Sequence, residues 1–392
     1  MSTPQATVIG LGCRLNIAES ERIGAMLGGG GERVVINSCS VTAGAVRDTR
    51  RAIRKARRDH PRARLLVTGC AAETEREALA RMPEVDGLIA NARKLLPQSY
   101  GIATTAPVAL GTRTRAFVAI QNGCDHSCTF CIIPQGRGPS RSTSREAVLA
   151  EIEAHLARGA AEIVLTGVDV TAWGADLPER PVMGTLVQAI LDAFPALFRL
   201  RLSSLDGAEI DPLLFELLAG EPRVMPHLHL SLQHGHDLIL KRMKRRHSRA
   251  QAVSLVTRLR ARRPDIAIGA DLIAGFPTET AEHHAANFSL IRELGIVHGH
   301  IFPFSPRHDT PAARMPQVDP ALARARAAEL RAAVVATRAE WLASLVGQPL
   351  QVLAEKDGKG YAPMYARVAT PGIAPGTIAT ITPTRFEDDL LL

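Results

Sequence analysis

Cys124, Cys128 and Cys131 stand close together in the stretch Gln121-Asn122-Gly123-Cys124-Asp125-His126-Ser127-Cys128-Thr129-Phe130-Cys131. Thiolates in a C-x3-C-x2-C spacing can hold three corners of a cubane iron–sulfur cluster, one fewer than would close every iron. An open metal position is where substrates bind, which is what separates catalytic from structural metal sites. A zinc site or a disulfide knot is the competing chemistry. Zinc wants a fourth ligand, and His126 between the cysteines does not fit the usual ligand pairs. The other cysteines, Cys13, Cys39 and Cys70, are far apart in sequence, yet each comes just after a strand-like run (7–12, 33–38, 64–69). Ligands of an open α/β sheet bind at the carboxyl ends of its strands. The three thiols are therefore expected to meet and to form a second three-thiolate cluster, again with an open iron. The alternative is three unrelated buried cysteines.

The elements that must position these groups follow from periodicity. Residues 7–98 alternate between strands (7–12, 33–38, 64–69, 85–90) and helices (17–27, 43–59, 73–82), which predicts a parallel sheet covered by helices. The helix over 43–59 is strongly basic (Arg47, Arg50, Arg51, Arg54, Lys55, Arg57, Arg58). It reads as a solvated face or, equally, as a phosphate contact. Residues 99–113 have linker composition, with Pro107 and several Gly and Thr. From 114 to 346, strand-like runs at 115–120, 162–166, 198–203, 227–232, 266–273 and 298–304 alternate with helical patterns at 145–158, 212–218, 251–262 and 282–294. Six β/α repeats predict a partial (β/α)6 barrel with its site on the loops after the strands. A long Ala/Arg-rich helix is expected over 321–346. Residues 347–392 read as a small antiparallel β unit with strands near 350–355, 365–369 and 377–383. Such a unit is marginal alone, and serves as a nucleic-acid grip or, equally, for packing or dimer contact.

The barrel rim carries ligand chemistry. Thr166, Gly167 and Asp169 follow the second strand, Ser203 the third and Gln233 the fourth, while Asp271 and Gly275 close the fifth. Glycine permits close backbone approach, and Ser, Gln and Asp offer hydrogen bonds to ribose and adenine, although each alone is a common turn residue. Arg245 lies in the cationic block 241–247, which could end a helix, hold a carboxylate or meet an RNA phosphate. The histidines at 227, 229, 234 and 236 read as satisfied strand or turn residues rather than metal ligands.

Composition sets the outer bounds. The chain has 392 residues, 46% of them apolar and 22% charged, with a net charge of +8 from 47 basic and 39 acidic residues. That is globular composition with a bias toward a polyanionic partner. Only 4% of residues are aromatic, which argues against a broad base-stacking platform. No apolar run is long enough to span a bilayer and no signal-peptide pattern is present, so a cytoplasmic protein without a membrane partner is expected. Six cysteines in such a chain point to metal or redox work.

With both cysteine sets in view, the chain resembles the radical S-adenosylmethionine (SAM) methylthiotransferases. The resemblance rests on the 124–131 loop with Phe130 before its last cysteine, Gly12-Cys13 with Asn16, Ile36-Asn37-Ser38-Cys39, Val67-Thr68-Gly69-Cys70, Cys131-Ile132-Ile133-Pro134 with Arg137-Gly138 and Arg141-Ser142, and Ser305-Pro306-Arg307. Leu165-Thr166-Gly167, Arg201-Leu202-Ser203-Ser204 and the stretch 227–233 look like the branch acting on threonylcarbamoyl-adenosine in tRNA. Asp206 stands where that pattern usually has glutamate and His247 where it has tyrosine, and the tail is a short version of the family's RNA-binding TRAM domain.

The resemblance implies two [4Fe–4S] clusters and SAM. Cys124, Cys128 and Cys131 would hold the cluster that cleaves SAM to a 5′-deoxyadenosyl radical; Cys13, Cys39 and Cys70 would hold an auxiliary cluster carrying the sulfur. Phe130, Thr166, Gly167, Asp169, Ser203, Gln233, Arg245, Asp271 and Gly275 are the expected SAM-site residues. The implied partners are a tRNA anticodon stem-loop, a low-potential electron donor such as flavodoxin or ferredoxin, and an unassigned sulfur donor. The alternatives are the same transfer to isopentenyl-adenosine in tRNA or to a ribosomal-protein aspartate, and a non-enzymatic iron–sulfur RNA-binding protein.

Overall fold

The computed structural model describes residues 6–28, 32–102 and 114–392. The N-terminal part runs β1 (Thr7–Gly10), α1 (Arg14–Leu27), β2 (Arg33–Ser38), α2 (Ala43–Asp59), β3 (Arg64–Gly69), α3 (Cys70–Thr74), α4 (Arg76–Ala80) and β4 (Gly87–Leu88). The strands form one sheet in that order, all parallel. Val34, Val35 and Ile36 are all buried, as a parallel strand covered on both faces requires. The helix expected over 73–82 is two short helices with a break at Glu75. The strand expected over 85–90 pairs only at Gly87–Leu88. Of the 99–113 linker, residues 103–113 lie outside the described residues, and Pro97–Tyr100 is a 3-10 turn.

The central part follows as β5 (Arg115–Ala119), the short paired strands β6 (Gln121–Asn122) and β7 (Arg141–Ser142) with α5 (Ile133–Arg137) between them, then α6 (Arg145–Leu156), β8 (Glu162–Thr166), α7 (Met183–Ala193), β9 (Leu200–Leu202), α8 (Pro212–Gly220), β10 (His227–Gln233), α9 (Asp237–Arg242), α10 (Arg249–Arg262), β11 (Ala267–Ala274), α11 (Ala281–Glu293), β12 (Ile296–Pro303) and α12 (Pro320–Leu345). Its parallel strands run β5-β8-β9 and β10-β11-β12, and the parallel bridge Leu205–Leu230 joins the two sets. This is the expected six-stranded partial barrel. Leu228, Leu230 and Leu232 enter the large apolar core under the helices. The alternate residues His227, His229, Ser231 and Gln233 therefore face the hollow. The inner faces of β5 and β8 are covered by α1, whose Ile17 and Ala18 pack with Phe117, Ala119 and Val164.

The C-terminal unit comprises β13 (Leu350–Ala354), β14 (Lys359–Tyr361), β15 (Arg367–Ala369), β16 (Ile378–Ile381), β17 (Phe386–Glu387) and β18 (Leu390–Leu391). It is antiparallel except for one parallel pair, β15 with β18. Its Leu350, Val352, Ala362, Met364 and Val368 share a core with Ala267 and Val297, at the starts of β11 and β12, and with Leu342 and Leu345 of α12. The unit thus closes the barrel base. There the fully buried Glu162 takes Arg199 and Arg201 at 2.8 Å each. The same guanidiniums donate to the carbonyls of Tyr361, Ala362 and Pro363. Tyr365 stacks on His227 with ring centroids 4.9 Å apart, and its hydroxyl accepts from Arg115 (2.8 Å) and Arg14 (3.0 Å). These contacts pack the tail against the barrel base.

Candidate metal centres and nucleotide site

The 124–131 loop leaves β6 through Gly123, whose φ of +77° and close approach to the Pro139 carbonyl exclude a side chain. Backbone bonds fix its far side: the Thr129 amide donates to the Met243 carbonyl (3.1 Å), and the Thr129 carbonyl accepts from Ala312 (2.9 Å). Phe130 anchors the loop edge-on to Phe276, with centroids 6.4 Å apart. Burial raises the Cys124 thiol to about 12 and the Cys131 thiol to about 11, and the neighbouring thiols and Asp169 push the same way. A cation bound there would favour the ionised forms of Cys124 and Cys131, and amides already point at their sulfurs. The amide of His126 donates to Cys124 Sγ and that of Ile133 to Cys131 Sγ, both at 3.4 Å. Soft, clustered, partly buried thiols with N–H donors fit an iron–sulfur cluster.

Cys39 and Cys70 follow β2 and β3 directly, and Cys13 caps α1 two residues beyond Leu11. Cys39 and Cys70 are buried and Cys13 is exposed. The three converge as expected. A Cβ on Gly12 would sit 2.7 Å from Cys39 Sγ, and Cys39, raised chiefly by burial, is raised further by Cys70 and Cys13. The two cysteine sets also adjoin. Gly136 of α5 lies against Cys70, where a Cβ would be 3.2 Å from the Cys70 Cβ, and the charge of Cys70 reaches Cys131.

The expected rim residues separate into three groups. Asp169 and Arg245 flank the 124–131 cysteines. Asp169 Oδ2 lies 2.5 Å from His126 Nε2 and 3.8 Å from Cys124 Sγ. Arg245 is 3.6 Å from Cys128 Sγ and pairs with Asp206 at 2.8 Å. Thr166, Gly167, Ser203 and Gln233 sit at strand ends. The carbonyl of Gln121 would be 2.9 Å from a Cβ on Gly167, Ser203 Oγ is buried without a hydrogen-bond partner, and Gln233 turns the chain at φ +67°. Asp271 and Gly275 belong to the fifth strand and the turn that closes it. Asp271 lies inside β11, and its Oδ1 takes His229 Nε2 (3.2 Å) and His300 Nδ1 (3.1 Å), so it faces the hollow below the rim. Burial would raise its carboxyl, yet those histidines hold it well below the ordinary value. Gly275, at φ +71°, is glycine because Ala323 of α12 packs against it.

The histidines left out of the metal set are engaged elsewhere: His234 pairs with Glu279 at 3.2 Å, and His236 caps α9. Several cations of α2 are spent on acids, Arg57 on Asp86 (2.6 Å), Arg50 on Glu75 (3.6 Å) and Lys55 on Asp59 (2.5 Å). Sequence reasoning missed His126, Glu209 and Asp206 as partners of the loop, and the pairing of Glu19, Lys94 and Arg137 behind it. Their separation along the chain leaves no local pattern. Among the described residues no helix is long and apolar enough to cross a membrane.

Comparison with known proteins agrees with this arrangement. Residues 118–291 match the Radical SAM superfamily model, and residues 5–90 match the model described as uncharacterized protein family UPF0004. The threonylcarbamoyladenosine tRNA methylthiotransferase MtaB of Rickettsia prowazekii is 43% identical over 89% of this chain and 87% of its own length. The tRNA-2-methylthio-N(6)-dimethylallyladenosine synthase of Paracoccus denitrificans is 32% identical over 91% and 87%. Among solved structures, the radical SAM methyltransferase TsrM of Kitasatospora setae, with cobalamin and a [4Fe-4S] cluster bound, superposes with a TM-score of 0.54 at 16% identity, covering 80% of this chain and 77% of its own; it shares the fold. The chain belongs to the radical SAM methylthiotransferases, enzymes that use SAM and iron–sulfur chemistry to transfer methylthio groups.

Proposed function

We propose that this enzyme inserts a methylthio group at carbon-2 of threonylcarbamoyl-adenosine beside a tRNA anticodon, with two [4Fe–4S] clusters and SAM. The observation that carries the reading is the gathering of all six cysteines, in two adjoining sets, where the N-terminal sheet meets the barrel rim. The threonylcarbamoyl branch is favoured by the 43% identity to one of its members against 32% to an isopentenyl-type synthase. In this reading Cys124, Cys128 and Cys131 hold one cluster and Cys13, Cys39 and Cys70 the other. When bound, the first supplies one-electron cleavage of SAM and the second supplies the sulfur.

The protein's own part is to bind, orient and exclude water. Cys124, Cys128 and Cys131 would hold the first cluster as thiolates, so its binding would release protons, and burial of Cys124 and Cys131 makes that ionisation depend on the bound cations. Asp169, Ser203, Gln233, Arg245, Asp271 and Gly275, with the backbone at Thr166 and Gly167 and the ring of Phe130, would line the place for SAM. α1 along one wall and the tail at the base keep that hollow dry, which protects a reactive radical. The functional units are 1–98, 99–113 as linker, 114–346 and 347–392. Cations of α2 contribute phosphate contacts to the anticodon stem-loop, and a flavodoxin- or ferredoxin-type donor supplies electrons.

The test is mass spectrometry of tRNA nucleosides from a strain lacking the gene. The methylthio form of threonylcarbamoyl-adenosine should vanish and return on complementation. Loss of the methylthio isopentenyl nucleoside instead would overturn the substrate assignment.

A further inference from the structure

Behind the two cysteine sets lies a buried ion cluster that the roles above leave unused. The side chains of Glu19 (α1), Lys94 and Arg137 (α5) are each no more than 2% exposed. Lys94 Nζ donates to Glu19 Oε2 at 2.5 Å, and Arg137 donates to the two Glu19 oxygens at 3.0 and 3.2 Å. Arg137 also donates to Asn16 Oδ1 (2.5 Å) and Asn122 Oδ1 (2.7 Å). Each amide leads to a different cysteine set. Asn16 Nδ2 donates to the carbonyls of Leu11 and Ser38, which lie just before Gly12-Cys13 and Cys39. Asn122 Oδ1 takes the amide of Gly123, which precedes Cys124. Arg137 is thus tied to both cysteine loops through one side chain apiece.

The charges do not balance. Two cations share one carboxylate, and their other side-chain partners, Asn16, Asn37 and Asn122, are neutral. Burial works against the charge on Lys94, and an uncompensated charge this deep is costly, so an anion beside the pair is what would let both cations stay charged. The groups beside Arg137 that can supply one are Cys70, against which the neighbouring Gly136 packs (3.2 Å from an added Cβ to the Cys70 Cβ), and Cys13, whose neighbour Gly12 would place a Cβ 3.8 Å from Asn16 Nδ2. A cubane core of charge two plus, held by three thiolates, carries one net negative charge. That equals the excess.

We infer that Arg137 is a positioning residue: its guanidinium is the counter-charge of the cluster held by Cys13, Cys39 and Cys70, and it sets that cluster's reduction potential and its seat against the 124–131 loop. The inference rests on the two-cluster reading. Because reduction adds negative charge, a nearby cation raises the potential and its loss lowers it.

The experiment is a set of single changes in the full-length, anaerobically reconstituted enzyme. Its readouts are iron and sulfide per chain and an EPR-monitored redox titration of the cluster signal that SAM does not perturb. The potential should rise in Glu19→Gln, fall in Lys94→Met, fall furthest in Arg137→Gln and stay near wild type in Arg137→Lys. Loss of the auxiliary iron in Arg137→Gln with retention in Arg137→Lys would support the same role, since the two differ in charge. Potentials unchanged in all four variants at full iron content would overturn it. So would equal iron loss in both Arg137 variants with no shift in the other two. A wild-type enzyme holding iron for only one cluster would instead overturn the two-cluster reading and is distinguishable at the first assay.

Discussion

Cys124, Cys128 and Cys131 are delivered by one loop between β6 and α5, whereas Cys13, Cys39 and Cys70 come from the ends of three strands and meet only in the assembled sheet. The first set is built by local geometry: a glycine at positive φ, two N–H···S contacts and an aromatic anchor. The second is built by register, since Ser38 pairs with Gly69 and Gly10 with Asn37, which aligns the strand ends. A donor set of the first kind keeps its own spacing as long as its one loop stays seated on Met243, Ala312 and Phe276. One of the second kind is only as sound as its sheet.

The largest effects that could break this contrast come from the cysteines. Cys124→Ala should abolish 5′-deoxyadenosine formation from SAM and reductant, while Cys39→Ala should keep it and lose the methylthio product. Methylthio product at the normal rate from Cys39→Ala would end the division of roles. Next comes a change outside both sets. Glu162→Gln leaves two buried guanidiniums without a counter-charge and should cost about 3–5 kcal/mol in denaturant unfolding. Both clusters should then be lost together, as one unfolding event.

The pH dependence of that pair has a definite sign. Burial would raise the Glu162 carboxyl, but Arg201 and Arg199 hold it below its ordinary 4.5. Its stabilisation is therefore fully present above that pH and lost as pH falls through the depressed value. The acid limb of stability should be shallower in Glu162→Gln, and equal slopes would refute the assignment.

Smaller effects separate the two modes of construction. Gly69 has φ +89°, and a Cβ there would lie 2.6 Å from the Ser38 amide. Gly69→Ala should cost about 1–3 kcal/mol and deplete iron from the dispersed set first. Gly123→Ala should do the reverse, so iron assays combined with SAM cleavage distinguish them. Smallest is Phe130→Leu, which loses an edge-to-face contact worth about 1 kcal/mol. It should weaken SAM binding by about fivefold at most and leave the dispersed cluster untouched.

The contrast also explains what could be read from the residues alone. Alternating strand and helix patterns placed Cys39 and Cys70 correctly at strand ends, because a buried parallel strand is an unbroken apolar run and its end is visible. The single helix expected over 73–82 failed at Glu75, whose side chain is drawn off to Arg307 at 2.8 Å, a partner 232 residues away. Asp271 falls within the strand-like run 266–273, but its partners His229 and His300 come from neighbouring strands and leave no pattern in the sequence. The Glu19–Lys94–Arg137 cluster left no trace, since Lys94 lies 75 residues from Glu19 and Arg137 a further stretch beyond. The tail's antiparallel pattern was legible, but its docking was not, because carbonyl acceptors for Arg199 and Arg201 have no sequence signature.

The bond from Arg14 to the Tyr365 hydroxyl joins the far end of the molecule to the residue next to Cys13. Tyr365 sits in a tight turn of the tail, and Arg14 opens the helix that Cys13 caps. A tail displaced by a bound macromolecule would pull on that arginine and so tug the helix start that carries a cluster ligand. One hydrogen bond thus ties the placement of the tail to the start of the helix that Cys13 caps.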